Sequence, residues 1–479
     1  MHGSRDALRR PRTEHKCREP MTDFRASADE VAIDRIGQLV EAFEKAGKPR
    51  SAWRIGVEHE KIGVDRATGR AAPFSGPRGI ERLLSELAAR YGWGPVQENG
   101  RTIALRRANL SITLEPGAQV ELAGAPCETL HEARAELRTH LTEITKVGSE
   151  LGIAFLGLGI QPVSTVEEIE LVPKERYGIM DPYMRTVGTL GLRMMRQTAT
   201  VQANIDFADE RDAMLKFRTG MRLAPLMNAI FANSCIVDGE PSRHLSFRGH
   251  VWTDTDRARC GMLRLAWDEG AGFEAYVQWA LDVPVYFLLR DGHYTRDVTG
   301  IPFRRLLQGV SGLPRPNFDD WNLHLTTLFP EVRLKGFIEF RSTDAQPART
   351  LLGPAALVKG LFYEADCLGA AWDVVKSWSF DECVDLASEA TREGLSARMR
   401  RIQLRELALE VGTIAAEGLR RLDQRDDRGR NETVYLEPTF ELISQGLSPA
   451  NLTSRRWVGD WNRRMERLVA GSELQDDLP

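Results

Sequence analysis

The sequence predicts an α+β protein, because segments with two different hydrophobic periods follow one another along the chain. In residues 29–45, 80–90 and 130–151, apolar side chains recur at intervals of three and four, which is typical of amphipathic helices. Residues 200–207 instead alternate strictly between apolar and polar side chains, as a half-buried strand does. A long helical pattern over residues 395–422, with no strand pattern after it, predicts a helical C-terminal part.

These patterns divide the 479 residues into three parts. Residues 1–28 carry many basic and few apolar side chains, so they lack the apolar segment of a secretory signal, and we expect a disordered tail. Acidic residues within them argue against a transit peptide. Residues 29–353 are predicted to form the core, and residues 354–479 a mainly helical part packed on that core.

The composition argues against several classes of partner. Basic residues number 64 and acidic residues 68, and both signs are scattered, so the chain shows no electrostatic footprint for nucleic acid. The longest apolar stretch, residues 151–160, is shorter than the ~18 residues that cross a bilayer, so no membrane partner is expected. The six cysteines form no CxxC pair, which favours a reducing, cytoplasmic location. The sequence leaves a monomer and a homodimer both open.

A pair of acidic residues marks the first predicted strand, residues 55–62. Glu58 and Glu60 are two positions apart, so they share one face of the strand, about 7 Å apart at ~3.3 Å per residue. His59 lies on the opposite face, where we expect a packed residue. Taken alone, the glutamates are also compatible with a solvated polar face.

Two further segments add polar faces. Residues 111–122 read as strand, turn and strand, with Pro116 and Gly117 suited to a type II turn and with Glu115 and Glu121 on either side of it. Residues 200–207 place Gln202 on a polar face with Asn204. Each face could present hydrogen-bonding groups to a ligand.

Two later segments bring arginines. Residues 245–252 alternate in the same way and predict a strand with Arg248 and Trp252 on one face. Residues 337–341 predict a further strand, with Glu339 and Arg341 together on one of its faces. Acids, amides and arginines on strand faces suit a divalent metal and a polyanion, because Mg²⁺ prefers hard oxygen ligands and the arginine fork fits carboxylate or phosphate.

The common nucleotide-binding motifs are absent from the sequence. No GxxxxGK[ST] segment occurs, and residues 157–159 lack the third glycine of a dinucleotide fingerprint. A site for ATP therefore needs another design. Periodicity alone does not show that the acidic strands lie side by side.

Several separated blocks, in one order along residues 30–365, resemble the plant-type glutamate–cysteine ligases, the first enzymes of glutathione synthesis. They are residues 53–61 (WRIGVEHEK), 111–126, 173–180 (PKERYGIM), 200–204 (TVQAN), 250–256, 280–284 and 324–331. The resemblance implies that residues 29–353 form a glutamine-synthetase-like catalytic core, a curved antiparallel sheet flanked by helices. It also implies ATP as co-substrate and two or three Mg²⁺ ions.

The resemblance assigns roles residue by residue. It implies metal ligands at Glu58, Glu60, Glu115, Glu121 and Glu339. It implies that Arg341, with Glu339, acts on the transferred phosphoryl group and that Arg248 takes the α-carboxylate of glutamate. The remaining substrate-binding residues that it suggests are Gln202, Asn204, Arg176, Tyr177 and Trp252.

The implied reaction joins the γ-carboxylate of L-glutamate to the amine of L-cysteine through γ-glutamyl phosphate, with ATP split to ADP and phosphate. One departure from the family concerns the amine acceptor. Residues 339–344 read EFRSTD where the family has EMRGAD, so the sequence does not fix which amine the acceptor pocket binds. A related ligase with another amine acceptor therefore also fits the sequence. A two-metal phosphohydrolase and a binding protein with a degenerate site are more distant possibilities.

Overall fold

A computed structural model describes residues 32–479, and the predicted tail, residues 1–28, lies outside the described residues. The helices in the described part are α1 Gly37–Lys45, α2 Ile80–Tyr91, α3 Leu130–Leu151, α4 Glu175–Val187, α5 Gly191–Gln197, α6 Glu210–Ile230, α7 Phe247–Trp252, α8 Phe273–Asp282, α9 Phe303–Leu307, α10 Phe318–Thr326, α11 Gly353–Phe362, α12 Ala365–Val375, α13 Phe380–Glu393, α14 Leu404–Leu422, α15 Glu437–Ser444, α16 Pro449–Val458 and α17 Met465–Ser472. No helix within residues 32–479 is long and apolar enough to cross a membrane.

The strands of residues 32–479 form one large sheet and four small ones. They are β1 Ile55–Asp65, β2 Gly94–Glu98, β3 Arg101–Arg107, β4 Leu110–Leu114, β5 Val120–Ala123, β6 Ile153–Leu156, β7 Val201–Ile205, β8 Ile236–Val237, β9 Glu240–Pro241, β10 Cys260–Gly261, β11 Leu288–Arg290, β12 His293–Thr295, β13 Phe329–Pro330, β14 Val332–Leu334, β15 Ile338–Phe340, β16 Arg398–Met399 and β17 Ile402–Gln403. The large sheet has nine strands in the order β14-β15-β7-β1-β5-β4-β3-β2, and β6 pairs with the end of β1. All of its pairs are antiparallel, which confirms the α+β prediction.

The predicted helix bounds are accurate where the sequence contains residues that cap a helix, and less accurate elsewhere. The helix predicted over residues 130–151 is α3, where Thr129 and Glu132 form a capping box and Gly152 ends the helix in the left-handed conformation. The helix predicted from residue 29 begins instead at Gly37. The pattern over 395–422 includes the β16–β17 hairpin, and its helix begins only at Leu404.

Two local predictions are wrong. Residues 247–252 form the short helix α7, not a strand, because the Ser246 hydroxyl accepts a hydrogen bond from the Gly249 N–H and so caps a helix. The turn after β4 is not type II, because Gly117 does not have a positive φ and Ala118 takes φ 63° instead. Gly117 is needed for space: a Cβ there would lie 2.2 Å from the Arg196 carbonyl oxygen.

One continuous hydrophobic cluster joins the sheet to the C-terminal helices, from Ile55 of β1 to Leu419 of α14. Helix α11 packs against both β7 and α14. The approach of α11 to α14 is close because both have glycine there: a Cβ on Gly418 would lie 1.9 Å from the Gly360 carbonyl oxygen. The boundary at residue 353 stays a prediction, as does the oligomeric state.

The close crossing of α11 and α14 gives a stability prediction. We expect Gly418→Ala to lower the free energy of unfolding by about 1–3 kcal/mol, because the added methyl group forces two packed helices apart. Urea unfolding measures the difference. Gly369→Ala on α12 is the matched control, since nothing lies within 4 Å of a Cβ there and alanine favours the helix. Equal stability of the two variants would contradict the prediction.

Candidate active site

A cavity of about 370 Å³ lies over one face of the large sheet, a size that suits a small-molecule site. Strands β1, β4, β5 and β7 contribute side chains to it, and helices α4, α5, α7 and α10 close over it. The predicted site residues that line it are Glu58, Glu60, Glu115, Glu121, Arg176, Tyr177, Gln202, Arg248, Trp252 and Arg341. Glu339 and Asn204 do not line it, although both contact residues that do.

The strand register explains why the acids meet. Glu60 lies directly opposite Glu121 of β5, and Glu121 lies opposite Thr113 of β4. On the other side of β1, Glu58 lies opposite Gln202 of β7. Residues opposite one another in an antiparallel pair share a face, so one face collects side chains from four strands. His59 is fully buried on the opposite face, as expected from the alternation.

Amide side chains hold Glu58 in place. Asn204 Nδ2 donates to Glu58 Oε1 at 2.8 Å, and Gln202 Nε2 donates to Glu58 Oε2 at 3.1 Å. The oxygen of Gln202 in turn accepts from Arg341 Nη1 at 2.5 Å. Asn204, which does not line the cavity itself, therefore orients Glu58, and Gln202 links Glu58 to Arg341.

Glu339 is a buried anchor for three basic side chains. Its carboxylate accepts three hydrogen bonds from Arg333, one from Nε at 2.9 Å and two from Nη2 at 2.7 Å, and one from Arg341 Nη1 at 2.5 Å. Lys335 Nζ lies 3.1 Å away. Although burial raises the pKa of Glu339, these basic groups hold it below its usual range. The structure thus shows Glu339 positioning Arg341, and its role as a metal ligand stays a prediction.

The acids of the cavity repel one another. Burial, followed by the charges of Glu339 and Glu121, raises the pKa of Glu58 to about 7. Burial and the neighbouring Glu115 likewise raise the pKa values of Glu60 and Glu121. A bound cation would offset the repulsion among these buried carboxylates, so the cluster favours cation binding.

The donor chemistry of this cluster fits Mg²⁺, which takes carboxylate oxygens and completes its shell with phosphates and water. Within residues 32–479, however, no three acidic, histidine or cysteine side chains converge closely enough to hold an ion as they stand. Metal binding by these glutamates is therefore a proposal.

Helix α7 supplies the second arginine. Arg248 is buried, lines the cavity and donates from Nη2 to the Arg341 carbonyl oxygen at 3.0 Å, so both arginines occupy one wall. Trp252 lies at the other end of α7, and its ring lies 5.8 Å from the Arg248 guanidinium carbon. The Trp252 Nε1 is buried and has no hydrogen-bond partner among the described residues.

Helix α4 forms another wall. Tyr177 donates its hydroxyl to the Leu114 carbonyl oxygen at 2.7 Å, which ties the start of α4 to β4. The guanidinium carbon of Arg176 lies 5.1 Å from the Tyr177 ring, and its buried Nε has no partner within residues 32–479. Lys174 also lines the cavity, and burial followed by the charge of Arg176 lowers its pKa to about 8.

Sequence reasoning missed four basic residues of the cavity: Arg106, Lys174, Arg333 and Lys335. Arg333 and Lys335 carried a usable signal, because residues 332–335 alternate between apolar and basic side chains (VRLK). Lys174 had no such pattern, since it precedes a helix. The cavity is therefore more basic than the sequence patterns indicated.

A cavity on an antiparallel sheet, with converging carboxylates of perturbed pKa beside guanidinium groups, is typical of an enzyme active site. The comparisons give the family. The model of glutamate–cysteine ligase family 2 (GCS2) matches residues 54–471. The chain belongs to this family, as the sequence blocks predicted.

Curated relatives agree over most of the chain. The chain is 42% identical to a chloroplastic glutamate–cysteine ligase of Brassica juncea, over 89% of this chain and 82% of the relative. It is equally similar to one of Arabidopsis thaliana, over 89% of this chain and 81% of that one. Among solved structures, a glutamate–cysteine ligase of Francisella tularensis in complex with AMP has a TM-score of 0.52 and 14% identity, covering 89% of this chain and 90% of that chain. That likeness supports the fold alone.

The prediction of a cytoplasmic location is contradicted by these relatives. The matching proteins of Brassica juncea, rice and Arabidopsis thaliana are all named chloroplastic. The prediction rested on the cysteine spacing, which reports whether disulfides are expected and does not distinguish reducing compartments from one another.

Proposed function

We propose that the protein joins the γ-carboxylate of L-glutamate to the amine of L-cysteine, with ATP split to ADP and phosphate, as the first step of glutathione synthesis. The observation that carries this proposal is that four glutamates meet Arg248, Arg341 and Arg176 in one cavity. The relatives, which are named glutamate–cysteine ligases, support it.

The reaction needs an activated carboxylate, because a free carboxylate is a poor acyl donor. Transfer of the γ-phosphoryl group of ATP to the γ-carboxylate forms γ-glutamyl phosphate, and the cysteine amine then displaces phosphate. Phosphoryl transfer depends mainly on positioning and on neutralising charge. Mg²⁺ held by Glu58, Glu60, Glu115 and Glu121 would supply part of that neutralisation.

The basic side chains supply the rest. Arg341 is oriented by Gln202 and Glu339, so its remaining donors can bind the phosphoryl oxygens during transfer. Arg248, on the same wall, binds the α-carboxylate of glutamate. Trp252 and Phe329 add apolar surface beside Arg341, which reduces access of water to the acyl phosphate.

The proposal predicts that ADP release requires ATP, Mg²⁺, L-glutamate and an amine acceptor together, with L-cysteine preferred. A coupled ADP assay that omits one component at a time tests this, and EDTA followed by added Mg²⁺ tests the metal. A ligase for a different acceptor predicts a faster rate with another amine at equal concentration. Undiminished phosphate release without glutamate and without any amine would support a phosphohydrolase and contradict the proposal.

A further inference from the structure

Asp344 lies behind the cavity wall and is buried among hydrogen-bond donors. Its Oδ2 accepts from Ser234 Oγ at 2.6 Å and from the Asn233 N–H at 2.7 Å, and its Oδ1 accepts from Ser246 Oγ at 2.9 Å. Asp344 does not line the cavity, and no more than 1% of this aspartate or of either serine is exposed. Because Asp344 is buried and does not line the cavity, its carboxylate acts on the three groups that donate hydrogen bonds to it and not on a ligand directly.

Both serines connect Asp344 to the start of α7. The Arg248 N–H donates to Ser234 Oγ at 3.0 Å, and the Gly249 N–H donates to Ser246 Oγ at 3.0 Å. An ionised carboxylate only accepts hydrogen bonds, so each serine must give its proton to Asp344. The lone pairs of both hydroxyls are thereby left for the N–H groups of α7.

Helix α7 depends on such anchoring. It has six residues, too few to be stable as an isolated helix, and it carries Arg248 and Trp252 into the cavity. The side chain of Arg248 is itself tied to the Arg341 carbonyl oxygen. A displacement of the start of α7 therefore moves Arg248 relative to Arg341.

We propose that Asp344 is a positioning residue, which fixes Arg248 through Ser234 and Ser246 and so sets the affinity for glutamate. The last step rests on the proposed function, in which Arg248 binds the α-carboxylate. The anchoring of α7 itself does not depend on that assignment.

Two conservative variants test the proposal by kinetics. Asp344→Asn keeps the shape but loses the charge and one acceptor, and Ser246→Ala removes one connection to α7. We expect each to raise the glutamate KM on the order of tenfold, with the ATP KM little changed. Ser448→Ala is the matched control, because Ser448 is an equally buried serine that caps α16 away from the cavity. A structural defect alone would lower the active fraction, and therefore the apparent kcat, with the glutamate KM unchanged.

Hydrogen exchange provides a readout without substrates. We expect the peptide over residues 246–253 to exchange faster in Asp344→Asn and Ser246→Ala than in the wild type, and to be unaffected in Ser448→Ala. Unchanged exchange in both variants overturns the anchoring. Faster exchange with an unchanged glutamate KM overturns the positioning role, while the proposed function stands. If wild-type ADP release does not depend on glutamate, the proposed function fails and the exchange experiment still decides the anchoring.

Discussion

Replacing Arg341 with lysine is expected to lower kcat by about a thousandfold, the low end for arginines that act on a transferring phosphoryl group, with little change in the glutamate KM. The guanidinium contacts Gln202 and Glu339 through one nitrogen and keeps others for the substrate. Lysine preserves the charge but not the planar fork, so it cannot make these contacts and bind two phosphoryl oxygens together. Steady-state kinetics with glutamate and ATP varied separately measure the effect.

The fold should survive this substitution, because Glu339 keeps two other basic partners, Arg333 and Lys335. Thermal unfolding of the variant checks this point. Arg421→Lys, at a half-exposed arginine in a surface ion-pair cluster, is a control for the chemical change alone and should leave kcat unchanged. A higher glutamate KM with normal kcat in Arg341→Lys would refute the assigned role.

The acidic half of the site could be predicted because its signal is local. Two positions along a strand are enough to place Glu58 and Glu60 on one face, and the burial of His59 on the other follows from the same alternation. That Glu121 lies opposite Glu60 depends on the pairing of β1 with β5. Strand pairing is a long-range property, and here the resemblance to a family supplied what periodicity could not.

The basic half was predicted less well. Arg248 was placed on a strand because residues 245–252 alternate, but an alternating pattern this short also fits the six-residue capped helix that the structure shows. The hydrogen bond from the Gly249 N–H to Ser246 decides between the two, and it is local, three residues apart. The bonds from Ser246 and Ser234 to Asp344, which hold the same turn, are long-range, and the sequence pattern does not show them. Glu339 was interpreted without Arg333, so its ion pairs were missed.

Replacing Arg248 with lysine is expected to raise the glutamate KM by about a hundredfold, with a much smaller change in kcat. Its contact with the α-carboxylate would exist before and during the chemical step, so its loss weakens the ground state and the transition state alike. A hundredfold change in KM corresponds to roughly 3 kcal/mol. That is the upper range for a hydrogen bond to a charged group, as expected for a buried guanidinium.

The contrast between the two arginines is the decisive result. Arg248 and Arg341 lie on one wall and contact each other, so a general disturbance of that wall or of folding would change the kinetics of both variants in the same way. Opposite patterns, with KM changed in Arg248→Lys and kcat changed in Arg341→Lys, arise only if the two side chains meet different parts of the substrates. Direct glutamate binding by calorimetry should then weaken in Arg248→Lys and remain nearly normal in Arg341→Lys. If Arg248→Lys lowers kcat alone and binds glutamate normally, the α-carboxylate must contact another basic residue. Arg176 is the candidate, because it lines the cavity and its Nε has no partner in the described part of the chain.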